Sequence, residues 1–288
     1  MKISAKVIED SVSTELDGYT NSAARLTTME LVYPRYILAE LNTHRMLSKN
    51  SASSRAIPIK KTLKQVWSNP VIPVAFGSNK PGMQAGAELT GFKLRAAKFF
   101  WILASKVAVV FAWTLMKLGL HKQLGNRILE PWQWMTTIVT GTKDAYANLY
   151  HLRIHPDAQP EFKALAEAMY KAHRASKPKV VGDGKNDWHL PYIQWYEKLD
   201  LKNGLLHIDD VKKMSVARCA RVSYLNHDGS TPNREKDLKL HDMLIKAPHA
   251  SPFEHVAKPA LGRHANFIGW KQYRKELPNE NHTEYEGI

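Results

Sequence analysis

Thr43-His44-Arg45-Met46-Leu47-Ser48-Lys49-Asn50-Ser51-Ala52-Ser53-Ser54-Arg55 is the stretch on which the reading of this chain turns. Its thirteen positions gather one His, two Arg, one Asn, one Thr and four Ser without a carboxylate, and its only large apolar residues, Met46 and Leu47, are adjacent. Two guanidinium groups can fork onto phosphate oxygens. The hydroxyls can each donate one hydrogen bond, and the Asn amide can donate and accept. The inventory suits a bound anion. No base is identifiable beside Ser53, so it is assigned a hydrogen-bonding role rather than that of a nucleophile.

Working outward, residues 2–8 and Leu26–Tyr33 read as strands, with a turn at Gly18–Ser22. Pro34 sits well in the first turn of a helix. Ile37, Leu38, Leu41 and Leu47 would form that helix's apolar stripe, with Glu40, His44 and Ser48 on one face at four-residue intervals. Residues 68–92, rich in Gly and Pro, read as loop. Residues 92–120 are the most hydrophobic part of the chain, but the uncharged run Val107–Met116 is ten residues long. That is too short to span a bilayer. Helices buried in the core or at a subunit interface are expected, and a helix lying on a membrane surface is the other reading. Further helices are expected at His121–Glu130, Trp134–Leu152 and Pro160–Ala175. The last is amphipathic through Phe162, Leu165, Ala168, Met169 and Ala172. Gly182–Asn186 reads as a turn.

The chain has 288 residues and a formal net charge of +14, which favours anionic partners such as nucleotides, folates, nucleic acid or a membrane surface. Its one cysteine, Cys219, precludes an intramolecular disulfide and a cysteine zinc cage. A buried structural thiol is the expectation for it, and activation by the flanking Arg218 and Arg221 stays open. No apolar signal-peptide core follows Met1, so a cytoplasmic location is expected.

The opening stretch resembles the signature of the flavin-dependent thymidylate synthases, which reads Arg-His-Arg, seven residues, Ser, with Asn and a final Arg at fixed offsets. His44, Arg45, Ser48, Asn50, Ser53 and Arg55 fall in place. Arg127-Ile128-Leu129-Glu130-Pro131 looks like the family's phosphate-binding Arg segment. Asn148-Leu149-Tyr150-His151-Leu152-Arg153, followed by Ala158-Gln159-Pro160-Glu161, is similar to its flavin- and pyrimidine-contacting segment. Ala217 to Tyr224 and His249-Ala250-Ser251-Pro252-Phe253-Glu254-His255 resemble its Ala-Ala-Arg-Val-Ser segment and its His-x-Ser-Pro-Phe-Glu-His box. That box precedes the Arg-His-Arg motif in the family, whereas here it follows by about two hundred residues, as in a circular permutation.

The resemblance implies an α+β fold over 1–288 as one domain, with a helix-rich core, a small antiparallel sheet and permuted motif order. It implies transfer of a one-carbon unit from 5,10-methylenetetrahydrofolate to C5 of a pyrimidine deoxynucleotide, dUMP to dTMP foremost. FAD would supply the hydride and NADPH would reload it. Arg153 would be catalytic at the pyrimidine oxygens, with Ser53, Arg55 and Arg127 on the nucleotide phosphate. His44, Arg45, Asn50, Asn148, Ser223, His249, Ser251 and Glu254 would surround FAD. The family assembles as homotetramers with shared sites, so residues 44–55 should meet 249–255 within or between chains. No metal is expected, although His249 and His255 flank a Glu. Thr43, Ser51, Glu40, Asp144 and His151 depart from the family's Arg, Glu, Gln, Arg and Asn. Another pyrimidine nucleotide, a hydroxymethylated product, a nucleic-acid binder and a non-catalytic oligomeric scaffold are the competing readings.

Overall fold

The computed structural model describes residues 2–13, 25–53, 55–182, 184–226, 229–247, 249–278 and 280. The turn expected at Gly18–Ser22 and Asp183 of the turn at 182–186 lie outside them. The architecture is α+β. Strands β1 (Ser4–Ser13), β2 (Arg25–Pro34), β3 (Ser48–Ser51), β4 (Trp134–Thr142) and β5 (Lys179–Val181) form a mixed sheet in the order β3-β4-β2-β1-β5. Its pairings are antiparallel except that of β1 with β5. The late strands β6 (Ala257–His264) and β7 (Phe267–Gln272) form a separate antiparallel hairpin.

Both faces of the sheet are covered. On one face Met29, Leu31 and Tyr33 of β2 and Met135 and Val139 of β4 pack against Tyr146 and Leu149 of α5 (Lys143–Arg153) and Phe162, Leu165 and Met169 of α6 (Pro160–Ala175). The four-residue periodicity of α6 places this stripe inward, as its sequence demands. Burying each such side chain stabilises the fold by about 1.5–3 kcal/mol. On the opposite face Ile138 packs with Tyr192, Cys219 and Val222, and Leu26 packs with Ala257, Phe267 and Trp270 of the hairpin.

Three sequence expectations are corrected here. The segment 134–152 is a strand followed by a helix, not one helix. Thr136, Thr137, Ile138, Val139, Thr140 and Thr142 form a β-branched run that suits a pleated surface better than a helical turn. Its pairing with β2 along its whole length secures it. Next, the motif helix is only α1 (Leu38–Asn42). Thr43 Oγ1 donates back to Glu40 O at 2.7 Å, the chain turns through His44–Leu47, and Ser48 opens β3. Glu40, His44 and Ser48 therefore share no helical face. Finally, 92–120 is dominated by one helix of 27 residues, Gly91–Lys117, long and apolar enough by length and composition to cross a membrane. Lys106 interrupts the uncharged run without interrupting the helix. Only Ser105, Ala108, Val109 and Ala112 are buried along it, so it is not a core helix of this protomer.

Candidate functional site

The strand alternation of β3 arranges the site. Ser48 and Asn50 point to one face and Lys49 and Ser51 to the other, as period-two pleating requires. On the first face Ser48 Oγ lies 3.1 Å from Gln272 Nε2, which donates to it. Asn50 uses both ends of its amide: Nδ2 donates to Cys219 O at 2.9 Å, and Oδ1 accepts from Ser251 Oγ at 3.2 Å. The 44–55 and 249–255 segments thus meet within one chain, across two hundred and one positions of sequence. On the other face Ser51 Oγ and Thr137 Oγ1 are 2.8 Å apart, and Lys49 Nζ donates to His44 O at 2.6 Å.

His44 is buried and stands edge-on to Phe162, with centroids 5.4 Å apart. Arg153 Nε donates to His44 Nε2 at 2.8 Å, so the imidazole proton resides on Nδ1. Burial, then the charges of Arg153 and Lys49, push the His44 pKa down to about 4. The imidazole is therefore neutral at pH 7. The Arg153 guanidinium lies 4.7 Å above the Phe162 ring and pairs with Glu40. Glu40 is the residue found where the family carries Gln, and its carboxylate clamps the guanidinium expected to face a pyrimidine.

The phosphate-binding candidates lie on adjoining segments. Asn126 Nδ2, one residue before Arg127, donates to Ile57 O at 3.2 Å, and Lys122 Nζ donates to Ala56 O at 3.4 Å, one residue after Arg55. Arg55, Arg127 and Ser53 are exposed, and Ser53 Oγ accepts from Arg55 N at 3.3 Å. Three of the four remaining motif stretches thus hydrogen-bond directly to residues 44–50, through Arg153, Cys219 and Ser251, while the segment leading into Arg127 bonds just beyond the motif, at Ile57.

The flavin-facing candidates divide into two groups. Asn50, Ser251 and Glu254 are engaged inside the chain, Glu254 accepting from Arg274 Nη1 at 2.6 Å. Ser223 Oγ accepts from Leu225 N at 3.0 Å, next to Val222, whose φ of 56° is left-handed. Arg45, Asn148 and His249 are exposed at the surface of this protomer. Cys219 is fully buried and burial raises its pKa, so a thiolate role is not supported. Among the described residues no His, Cys, Asp and Glu group is arranged to hold a metal.

Sequence reasoning missed two buried polar systems. Arg218 is fully buried, with Nη1 and Nη2 donating to Glu197 at 2.6 and 2.7 Å and Nε to Asp237 at 3.0 Å. Its place in the Ala-Arg-Cys-Ala-Arg segment was visible; its partners, distant in sequence, were not. The second is a chain of hydrogen bonds on the sheet face opposite α5 and α6. Ser11 Oγ lies 2.8 Å from His189 Nδ1, and His189 Nε2 lies 2.7 Å from Thr28 Oγ1. Thr28 and Thr140 hydroxyls are 2.6 Å apart, and Thr140 Oγ1 is 2.8 Å from His255 Nδ1. All five residues are buried. His255 is the last residue of the Ser-Pro-Phe-Glu-His box, and its bond to Thr140 ties that box to β4.

No family model and no curated protein sequence matches the chain. Among solved structures it is similar to the UMP/dUMP methylase PolB from Streptomyces cacaoi bound with 5-Br UMP. The two share 16% identity over 60% of this chain and 88% of that one, with a TM-score of 0.49. It is also similar to thymidylate synthase X from Helicobacter pylori with FAD and dUMP, at 15% identity over 59% of this chain and 92% of that one, with a TM-score of 0.42.

Proposed function

We propose that this chain is a permuted relative of the flavin-dependent thymidylate synthases that transfers a one-carbon unit to C5 of a pyrimidine nucleotide, with dUMP to dTMP the leading reaction. The observation that carries the proposal is the convergence of three motif-bearing stretches on His44 and Asn50: Arg153 donates to His44, Ser251 donates to Asn50, and Asn50 donates to Cys219 O. The meeting of stretches so far apart in sequence is what a shared site requires.

In this reading Arg55 and Arg127 take the nucleotide phosphate as charge-assisted donors, with Ser53 adding one hydrogen bond. Arg153 meets the pyrimidine oxygens and stabilises the negative charge that develops when C5 is activated. His44 and Glu40 position it. A neutral His44 orients Arg153 without adding a second positive charge beside it. Bound FAD, reloaded by NADPH, would supply the hydride that completes a methyl group carried from 5,10-methylenetetrahydrofolate. Arg45, Asn148 and His249 would hold the flavin from the protomer surface. Their exposure suits a site completed by a second copy in a homotetramer. Asn50, Ser251 and Glu254 fit this scheme as the frame beneath the flavin, because their polar atoms are already engaged.

The Glu40–Arg153 pair favours one variation, in which the substrate is another pyrimidine nucleotide or the product is hydroxymethylated. The test is to titrate FAD into the protein with and without dUMP or UMP, following visible absorbance, and to identify products by mass. Saturable FAD binding that responds to nucleotide, weakened for nucleotide alone in Arg55→Ala, is the expected result. No saturable flavin binding in any condition overturns the proposal. Glu40→Gln distinguishes the variation, since it should raise dUMP turnover if the carboxylate diverts Arg153.

A further inference from the structure

The charge of this chain is not spread over it. Residues 41–129 contain fourteen Lys and Arg and one acidic residue, Glu88, a net of +13 out of +14 for the whole protein. The same segment holds the long helix Gly91–Lys117, designated α3, which has five basic residues and no acidic one. One narrow stripe of α3, Ser105, Ala108, Val109 and Ala112, packs on Leu63 and Val66 of α2 (Ile59–Ser68) and on Leu129. The remaining faces expose Phe99, Phe100, Leu103, Val110, Phe111 and Trp113. A shallow apolar groove of about 490 Å³ runs between α3 and Ile128, Pro131 and Trp132.

We propose that α3 docks this protein onto an anionic lipid bilayer, lying in the interface with its exposed aromatic and aliphatic side chains among the acyl chains and the Lys and Arg side chains of its two ends at the headgroups. Exposed apolar area combined with cationic flanks is the combination that drives interfacial binding. Lys93, Arg95 and Lys98 cluster near the start of the helix, and Lys117 closes it. Lys106 and Lys117 lie 4.9 and 5.5 Å over the rings of Trp67 and Trp113, with their ammonium groups near amphipathic aromatics that favour the headgroup level.

Charge complementarity selects this occupant. A second copy docked face to face would bring together two helices with five basic residues and no acidic one each, and like charges across an interface oppose association. A nucleic acid would answer the charge but leave the Phe, Leu and Val side chains without an apolar partner. The helix also cannot cross the bilayer while this fold persists. Trp101 Nε1 donates to Val71 O at 2.8 Å, its ring lies 5.9 Å from that of Trp132, and Lys106 Nζ donates to Trp67 O. Helix α3 is tied along its side to segments that precede and follow it, so it lies flat.

The experiment is vesicle co-sedimentation of the full chain with phosphatidylcholine alone and with added phosphatidylserine, alongside tryptophan emission. Binding to the anionic vesicles with a blue shift that Trp113→Phe reduces is expected. The exposed pair Phe99→Ser with Phe111→Ser should lower partitioning about a hundredfold, each lost ring being worth about tenfold. Lys93→Glu with Lys98→Glu should lower it by at least about tenfold. Unchanged thermal midpoints will show that both double variants remain folded. Absence of binding to anionic vesicles overturns the proposal. So does binding that is fully salt-reversible and indifferent to the Phe variant, which would mark α3 as a polyanion site. A concentration-dependent dimer dissolved by the same Phe variant would overturn it by giving the face to a second copy.

Discussion

Lowering the pH from 7 to 5 should strongly destabilise this protein through four of its buried histidines. His44 and His173 have their pKa pushed down to about 4, and His189 and His255 to about 3, burial being the leading cause in each. Neighbouring cations reinforce it for three of them: Arg153 and Lys49 at His44, Arg25 at His173, and Lys198 at His189. Each imidazole is neutral when folded, whereas the unfolded chain takes up a proton near the ordinary value of 6.5. Their contribution is therefore present above pH 6.5 and is lost as the pH falls toward the folded values. By linkage each group withdraws about 1.8 kcal/mol between pH 7 and 5, and the four together about 7 kcal/mol. That is comparable with the whole stability of a typical domain, about 5–15 kcal/mol. Urea unfolding at pH 7, 6 and 5 measures the effect, with unfolding taking up about four protons near pH 5. His255→Asn, whose amide can still reach Thr140, should remove about one of them. Stability that stays flat from pH 7 to 5, or an uptake below one proton, would refute the assignment of these histidines as buried and neutral.

Other outcomes follow from the same geometry. Asp237→Ala leaves the buried Arg218 with one carboxylate partner fewer, and a loss of about 3–5 kcal/mol in urea unfolding is expected. Asn50→Ala cuts the tie between β3 and the Ser251 box and should remove about 1–3 kcal/mol. In a double-mutant cycle with Ser251→Ala the two losses should not add. Cys219 should resist thiol reagents in the native protein and react at the rate of unfolding, because it is fully buried with its pKa raised.

Some elements were legible in the sequence because one physical signal dominated each. Phe162, Leu165 and Met169 repeat at helical spacing with solvent on the far side, and α6 spans Pro160–Ala175 as read. Leu26–Tyr33 similarly became β2 with one residue added at each end. Strand β4 was misread because both its faces are covered. Buried on each side from Thr137 to Thr142, it shows no alternation to set it apart from the helix that follows. Helix α3 was misjudged because counting uncharged residues treats Lys106 as a boundary, whereas its long stem carries the ammonium to the Trp67 carbonyl. At the site, the meeting of 44–55 with 249–255 followed from the resemblance of the motifs, but the Glu40–Arg153 clamp did not. Glu40 stands on α1 and Arg153 at the end of α5, and local periodicity does not relate them. The histidine chain was invisible for the same reason: Ser11, Thr28, Thr140, His189 and His255 come from five separate stretches.

Asn50 also carries a consequence for how the molecule is made. On a ribosome the segments bearing Arg55, Asn126 and Arg153 emerge early, and the sheet from β1 to β4 with helices α5 and α6 is complete by Ala175. The amide of Asn50 then waits for Cys219 and Ser251. At about 5–20 residues per second the gap between Arg153 and Ser251 lasts roughly 5–20 s. In the motif order of the resembling family the box precedes the Arg-His-Arg stretch and is already outside when that stretch appears. With the box at the far end of this chain, the first half has to hold its shape while the second is still being synthesised, and β3 is left an edge strand with an unanswered amide during that interval.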